Sequence, residues 1–297
     1  MAFVYLGEIA ALSTAFCWAI GLTMHTRAGR IIGPLQLNLI RLPLSVGFLS
    51  LFCIVFVRQY TVSLTSLMYL ALSGFVGLAL GDTFLYAGLV RIGARLGALI
   101  FSLSPAVTVL LGYFVLGERL GIISLMGIVL TMSGILWVVS EKQRSNGGPN
   151  KISVTGLIFS ILSAVCQAFG LVLMKKGLNS DVHSLYASLI RMVSAAVVIW
   201  PVAMVAGLAK NPVGLLRQHP NAVKYILLGG IVGPVLGVWL SLVAVRFTET
   251  GVAATLIAME PIILIPLVMI TEKERPSLRA VVGTIIAVIG TAIIFLR

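Results

Sequence analysis

The chain has 297 residues, of which 59% are hydrophobic and 10% charged, against about 45 to 50% and about 25% in soluble proteins. At roughly 20 apolar residues per crossing of a hydrocarbon layer about 30 Å thick, this length admits about a dozen helices at most and excludes a sizeable extramembrane catalytic module. Twenty-one Lys and Arg against nine Asp and Glu give a formal charge of +12. The bases fall in short loops between apolar runs, where loop bias and anionic headgroups account for them, so membrane lipids are expected partners and nucleic acid is not.

Runs such as 122–139 are apolar on every face, which excludes barrel strands alternating in segments of about ten residues. Ten helical spans are expected near 6–24, 35–57, 66–88, 94–116, 120–139, 154–174, 183–206, 222–244, 250–271 and 277–296. The first run has no Lys or Arg before it and no small-residue cleavage pattern, and is expected to be a retained helix rather than a signal peptide. Cys17, Cys53 and Cys166 lie inside apolar runs without a CxxC spacing and read as packing residues. The longest polar stretch, 140–153, has a flexible composition. Its residues 141–153 form a linker between two units, 1–140 and 154–297.

Sliding the second unit on the first by 156 positions pairs Gly74 with Gly230, Gly77 with Gly233, Gly81 with Gly237, Pro105 with Pro261, Glu118 with Glu274 and Arg119 with Arg275. Nearer each start, a shift of 149 to 150 pairs Cys17 with Cys166, Gly21 with Gly170 and Ile40-Arg41 with Ile190-Arg191. A five-helix unit is therefore used twice. Five is odd, so consecutive copies enter the membrane from opposite sides, giving an inverted repeat whose halves can exchange shapes in alternating access. The expected fold is an all-α integral membrane protein of ten transmembrane helices in two inverted five-helix repeats. The Gly77/Gly81 and Gly233/Gly237 pairs have small-xxx-small spacing, suited to close packing of the third and eighth spans.

These features resemble the drug/metabolite transporter superfamily, in particular its ten-helix EamA-type members. The resemblance covers the whole chain and rests on the duplicated Ile-Arg pairs, on Ser102-Leu103-Ser104-Pro105 followed by Leu116-Gly117-Glu118-Arg119-Leu120, and on the counterparts Met259-Glu260-Pro261 and Glu272-Lys273-Glu274-Arg275. It implies secondary transport, often export, of amino acids or related metabolites through a central cavity between the halves, in a plasma or bacterial inner membrane.

An ionisable group at the bilayer centre costs about 2.5 to 3.5 kcal/mol on insertion scales, so each one in a span is a candidate site residue. Glu260, beside Pro261, is expected to face the cavity as a substrate ligand or a titrating carboxylate; the alternative is a structural pair with Arg41 or Arg191. Asp82 carries the same two readings. Arg41 and Arg191 either bind anionic substrate groups or anchor at the interface. Trp18 and its counterpart Gln167, then Thr83, Tyr86, Trp239 and Ser104, complete the candidate substrate-binding set, each with a structural alternative. His25, His183 and His219 lie at span edges or in loops, and Trp137 and Trp200 near span ends read as interfacial.

No catalytic site, metal or cofactor is expected. Asp82 has no second intramembrane aspartate with which to share a proton, there is no His-x-x-x-His pair, and there is no phosphate-binding Gly-x-x-x-x-Gly-Lys-Ser/Thr loop. Uphill transport must then draw on an ion or substrate gradient, with protons the candidate ion. A lipid-related flippase or a membrane scaffold without solute transport is the alternative function. Odd-numbered connections hold 13 Lys and Arg and even-numbered ones six, which places both termini outside, whereas the resemblance implies both inside.

Overall fold

The structure, a computed structural model, describes residues 5–57, 61–116, 121–139, 144–145, 148–149, 153–178, 182–247, 253, 256–272 and 276–295. The first half contributes α1 (Leu6–Ile32), α2 (Pro34–Phe56), α3 (Leu64–Ile92), α4 (Ala94–Phe101), α5 (Ser104–Leu116) and α6 (Ile122–Val139). The second contributes α7 (Val154–Gly177), α8 (Ser184–Val205), the short α9 (Pro212–Gln218), α10 over 220–247, α11 (Glu260–Thr271) and α12 (Leu278–Phe295). Between the halves, β1 (Arg144–Ser145) pairs antiparallel with β2 (Gly148–Pro149) inside the stretch read as a flexible linker.

Among the described residues six helices are long and apolar enough to cross a membrane, and further apolar helices cover Leu125–Val139, Glu260–Thr271 and Leu278–Ile294. The protein is a multi-pass membrane protein. Its surface carries the large apolar side chains, among them Phe114, Ile54 and Ile270, while the buried positions are rich in Ala, Thr, Ser and Gly. That inversion is what lipid demands: tails solvate Leu and Phe as well as a protein core does, so helices associate through small residues that let backbones meet.

Local chemistry sets the element ends. Gly33, with φ at +93°, ends α1 in a conformation that side-chain-bearing residues avoid, and Pro34 opens α2 where no amide hydrogen is needed. Gly93, with φ at +84°, makes the same tight turn between α3 and α4. Ser63 and Ser153 cap α3 and α7 by accepting from Ser66 N at 3.1 Å and Gly156 N at 3.2 Å.

Two irregularities recur 156 residues apart. The α3 helix widens into a π segment at Phe75–Gly81, and α10 does so at Ile231–Gly237. The fourth expected span breaks at 102–103, between α4 and α5, and the ninth breaks at 258–259, just before α11. Pro105 and Pro261 follow these breaks and cannot donate the amide hydrogen that would continue the preceding helix.

The most extensive helix contacts all join one half to the other. In α1 against α10, Gly21 meets Gly233 while His25 meets Gly229, so the two run antiparallel. In α7 against α3, Gly170 meets Gly77 and Gly156 meets Arg91 and Ile92, again antiparallel. In α6 against α12, Gly127 meets Gly290 and Gly134 meets Gly283. The glycines expected to pack the third and eighth spans do so against α7 and α1.

Two expectations change. The first helix continues to Ile32 rather than ending near 24, so His25 is a buried core residue, 4% exposed, and not an interfacial one. Trp200 is tied to α2, its Nε1 donating to Leu39 O at 3.0 Å. Arg95, one of the 13 bases assigned to odd-numbered connections, is buried in the first turn of α4.

Candidate functional site

The polar interior is built around α2 and α3. Arg41, on α2, reaches Asp82 on α3 through Nη2 in a buried ion pair. The same nitrogen donates to Asn38 Oδ1 at 3.3 Å, one helical turn back. Asn38 is fully buried, and its Nδ2 donates to Leu78 O at 3.0 Å, Ala79 O at 3.3 Å and Thr83 Oγ1 at 2.9 Å. Leu78 and Ala79 belong to the π segment, where the regular backbone ladder is disturbed. The Asn38 amide thus satisfies carbonyls at the irregular turn, and Thr83 Oγ1 adds a bond to Ala79 O at 2.6 Å.

Tyr86 closes this cluster. The Arg41 guanidinium lies 5.4 Å from its ring centroid, and the His25 ring meets its edge at 5.6 Å. Four expected site residues, Arg41, Asp82, Thr83 and Tyr86, are therefore brought together, joined by Asn38 and His25. Sequence reasoning passed over both additions. Asn38 was visible as an amide three positions before Arg41, and hence on its face.

A second group surrounds Arg191 on α8. Its Nη1 donates to Met174 Sδ at 3.1 Å, while Nε and Nη2 are buried without a hydrogen-bond partner among the described residues. Gln167 Oε1 on α7 is likewise buried and unpartnered. Both face Gly77: a methyl group built there would stand 3.0 Å from Gln167 Oε1 and 3.3 Å from Arg191 Nη2. Asp82 lies within electrostatic reach of both arginines.

The two broken spans supply the third group. Ser102 bonds back to Leu99 O at 2.6 Å, whereas Ser104, the first residue of α5, has a buried hydroxyl with no partner among the described residues. Glu260 occupies the matching place as the first residue of α11, where the helix macrodipole favours a negative charge. No hydrogen bond or ion pair holds Glu260 among the described residues; Arg41, one of its expected structural partners, is engaged with Asp82 instead. Below it, α11 seats on α1 and α4 through Leu264 and Val268 against Ala19, Ala94 and Ala98. The Trp18 indole lies against Gly237. The side chain of Trp239 and the segments 117–120 and 273–275 lie outside the described residues.

At one end of the bundle α1 holds α11. Arg27 Nη2 donates to Thr271 O at 2.5 Å, and Arg30 pairs with Glu272 at 3.3 Å. The C-terminal ends of the two helices therefore lie on one face. Arg30 is 40% exposed, and exposed pairs contribute about 0 to 1 kcal/mol; a charge-assisted bond to a carbonyl contributes about 1.5 to 3 kcal/mol. Arg27→Gln is therefore expected to lower the unfolding midpoint of the detergent-purified protein clearly, and Arg30→Gln hardly at all. Equal effects would refute the assignment.

Comparison with known proteins decides the family. The sequence model of the EamA-like transporter family matches residues 5–140 and again 154–296. The chain belongs to the EamA-like transporter family. An uncharacterized transporter of Clostridium kluyveri is 21% identical over 240 residues, 80% of this chain and 75% of that protein. A chloroplastic WAT1-related protein of Arabidopsis thaliana is 26% identical over 164 residues, 55% of this chain and 39% of its own length. A putative permease-like protein of Bacillus subtilis is 40% identical over 57 residues, 19% of this chain and 73% of that one. One solved structure superposes with a TM-score of 0.63 at 17% identity, covering 97% of this chain and 95% of the other, and establishes the shared fold. EamA membership and these relatives, in keeping with the drug/metabolite transporter superfamily, point to membrane transport of a small solute and away from an enzyme.

Proposed function

We propose that the chain exports a small metabolite, an amino acid or a related compound, by alternating access through a chamber between two inverted five-helix repeats, 1–140 and 154–297, that together make ten spans. The observation that carries this reading is the reciprocal geometry of equivalent helices. The α6 and α12 helices are 156 positions apart in register and run antiparallel, with Gly127 on Gly290 and Gly134 on Gly283, so each pair maps onto the other when the halves are exchanged. Gly21 on Gly233 and Gly170 on Gly77 form a second exchanged set. Copies inserted in the same direction would leave equivalent helices parallel. The repeated π segments and broken spans support the same reading, as does the double family match.

Within it, Glu260 serves as the titrating carboxylate that couples transport to protons. It heads a half-helix starting inside the ninth expected span, next to a break, and among the described residues no ion pair holds it, whereas Asp82 is paired with Arg41. Solute efflux from proteoliposomes, followed at two pH values, tests both claims. Glu260→Gln is expected to keep the fold and remove the pH dependence of flux. If that variant transports with an unaltered pH profile, Glu260 is not the coupling group; if the wild type releases no metabolite at either pH, the transport reading itself fails.

A further inference from the structure

Buried charge around α3 does not balance. Arg41 and Arg191 both lie within electrostatic reach of one carboxylate, Asp82, and Arg41 has captured it in a direct pair. The position equivalent to Asp82 in the second half is Val238, so the duplicated arginine has no duplicated counter-ion. A guanidinium cannot shed its proton to escape this situation, and a buried charge without a partner is costly. The two nitrogens left without partners, Nε and Nη2, are the pair that lies along one edge of the guanidinium. That edge matches the two oxygens of a carboxylate. Near the same face of Gly77, Gln167 Oε1, without a partner among the described residues, presents an acceptor.

Resting on the transport reading above, we infer that the Nε/Nη2 edge of Arg191 is the docking point for a carboxylate on the transported solute. Gln167 Oε1 accepts from a donor on the neighbouring carbon, an ammonium or a hydroxyl. The substrate class is a 2-amino or 2-hydroxy carboxylate. Both nitrogens are sealed from solvent in this conformation, so the edge opens only when the α3 and α7 backbones part at Gly77 and Gly170. The site belongs to the occluded interior and not to either mouth. The repeat-related Arg41 does not share the role, because Asp82 and Asn38 already engage its Nη2, leaving only Nε of that edge without a partner among the described residues.

Proteoliposomes loaded with an equimolar mixture of proteinogenic amino acids, their carboxamides, the corresponding 2-hydroxy acids, unsubstituted carboxylic acids, simple sugars and polyamines test this directly, with efflux read by mass spectrometry. The 2-amino or the 2-hydroxy acids are expected to leave, and the carboxamides and unsubstituted acids to remain. Arg191→Lys keeps the charge but loses the fork, and should cut carboxylate efflux at least about tenfold, a factor worth about 1.4 kcal/mol. Gln167→Glu is chosen because it places an internal carboxylate beside Arg191: it should raise the unfolding midpoint while abolishing carboxylate efflux. A purely structural Arg191 predicts the same gain in stability with flux unchanged.

Carboxamides leaving as fast as the acids, or wild-type carboxylate flux in either variant, overturns the inference. Unsubstituted acids leaving at the rate of the 2-amino or 2-hydroxy acids overturns the role of Gln167. Efflux confined to sugars or polyamines overturns the carboxylate assignment while leaving transport intact. No efflux of any solute overturns both. Should Arg191→Lys fail to fold, Gln167→Glu decides alone.

Discussion

Asp82→Ala is expected to be among the most destabilising single changes in this chain, at about 3 to 5 kcal/mol. The carboxylate is 8% exposed and its partner Arg41 is 7% exposed, so removing it strands a guanidinium where neither water nor lipid can solvate it. The loss would propagate, because Arg41 also holds Asn38 Oδ1, and Asn38 bridges to the carbonyls of Leu78 and Ala79. Arg41→Met alone should be similarly damaging. The double variant Arg41→Met with Asp82→Leu removes both charges and should recover most of the lost stability, since buried ion pairs are often replaceable by apolar side chains of similar volume. Thermal unfolding of the four proteins in one detergent checks the cycle. Additive losses in the double variant would mean that the two residues do not act as a pair.

The second large effect is steric. A methyl group added at Gly134 would stand 2.5 Å from Ala287 N and 2.6 Å from Gly283 O. Those are backbone atoms of α12, so no side-chain rotation relieves the overlap and the helices must separate. Gly134→Val is expected to cost about 3 kcal/mol, at the upper end for overpacking, and to reduce the yield of folded protein. Gly47→Ala is the matched control. It lies in α2 with nothing within 4 Å of the added methyl, and should be neutral or stabilising by up to about 1 kcal/mol, because alanine loses less backbone freedom in a helix than glycine does. Similar losses at both positions would show that helix propensity, and not the α6–α12 contact, sets the effect.

Much of the architecture is legible in the amino-acid order, because lipid makes hydropathy a strong constraint. Gly77 and Gly81, with Gly233 and Gly237, marked where backbones meet, whereas the breaks ahead of Pro105 and Pro261 fall inside spans expected to be continuous. What was illegible depended on distance in the chain. Nothing local reveals that Arg41 selects Asp82, 41 positions away, over Glu260. The polar end of α1 looked like a loop because Arg27 and Arg30 follow His25 closely. In the fold, the first two find Thr271 and Glu272 from the far half, and the third finds Tyr86. The π segments left no mark either, since Phe75–Gly81 and Ile231–Gly237 read as ordinary apolar helix.

Those widened turns have a mechanical corollary. A π turn holds more residues than the α turn it replaces, so tightening one by a single residue would screw everything beyond it by about 100° and slide it by about 1.5 Å. Asp82 is the first residue past the wide turn in α3. A corkscrew of that size would swing its carboxylate off Arg41 and around the helix axis, turning a local hydrogen-bond exchange into a change of ionic partner.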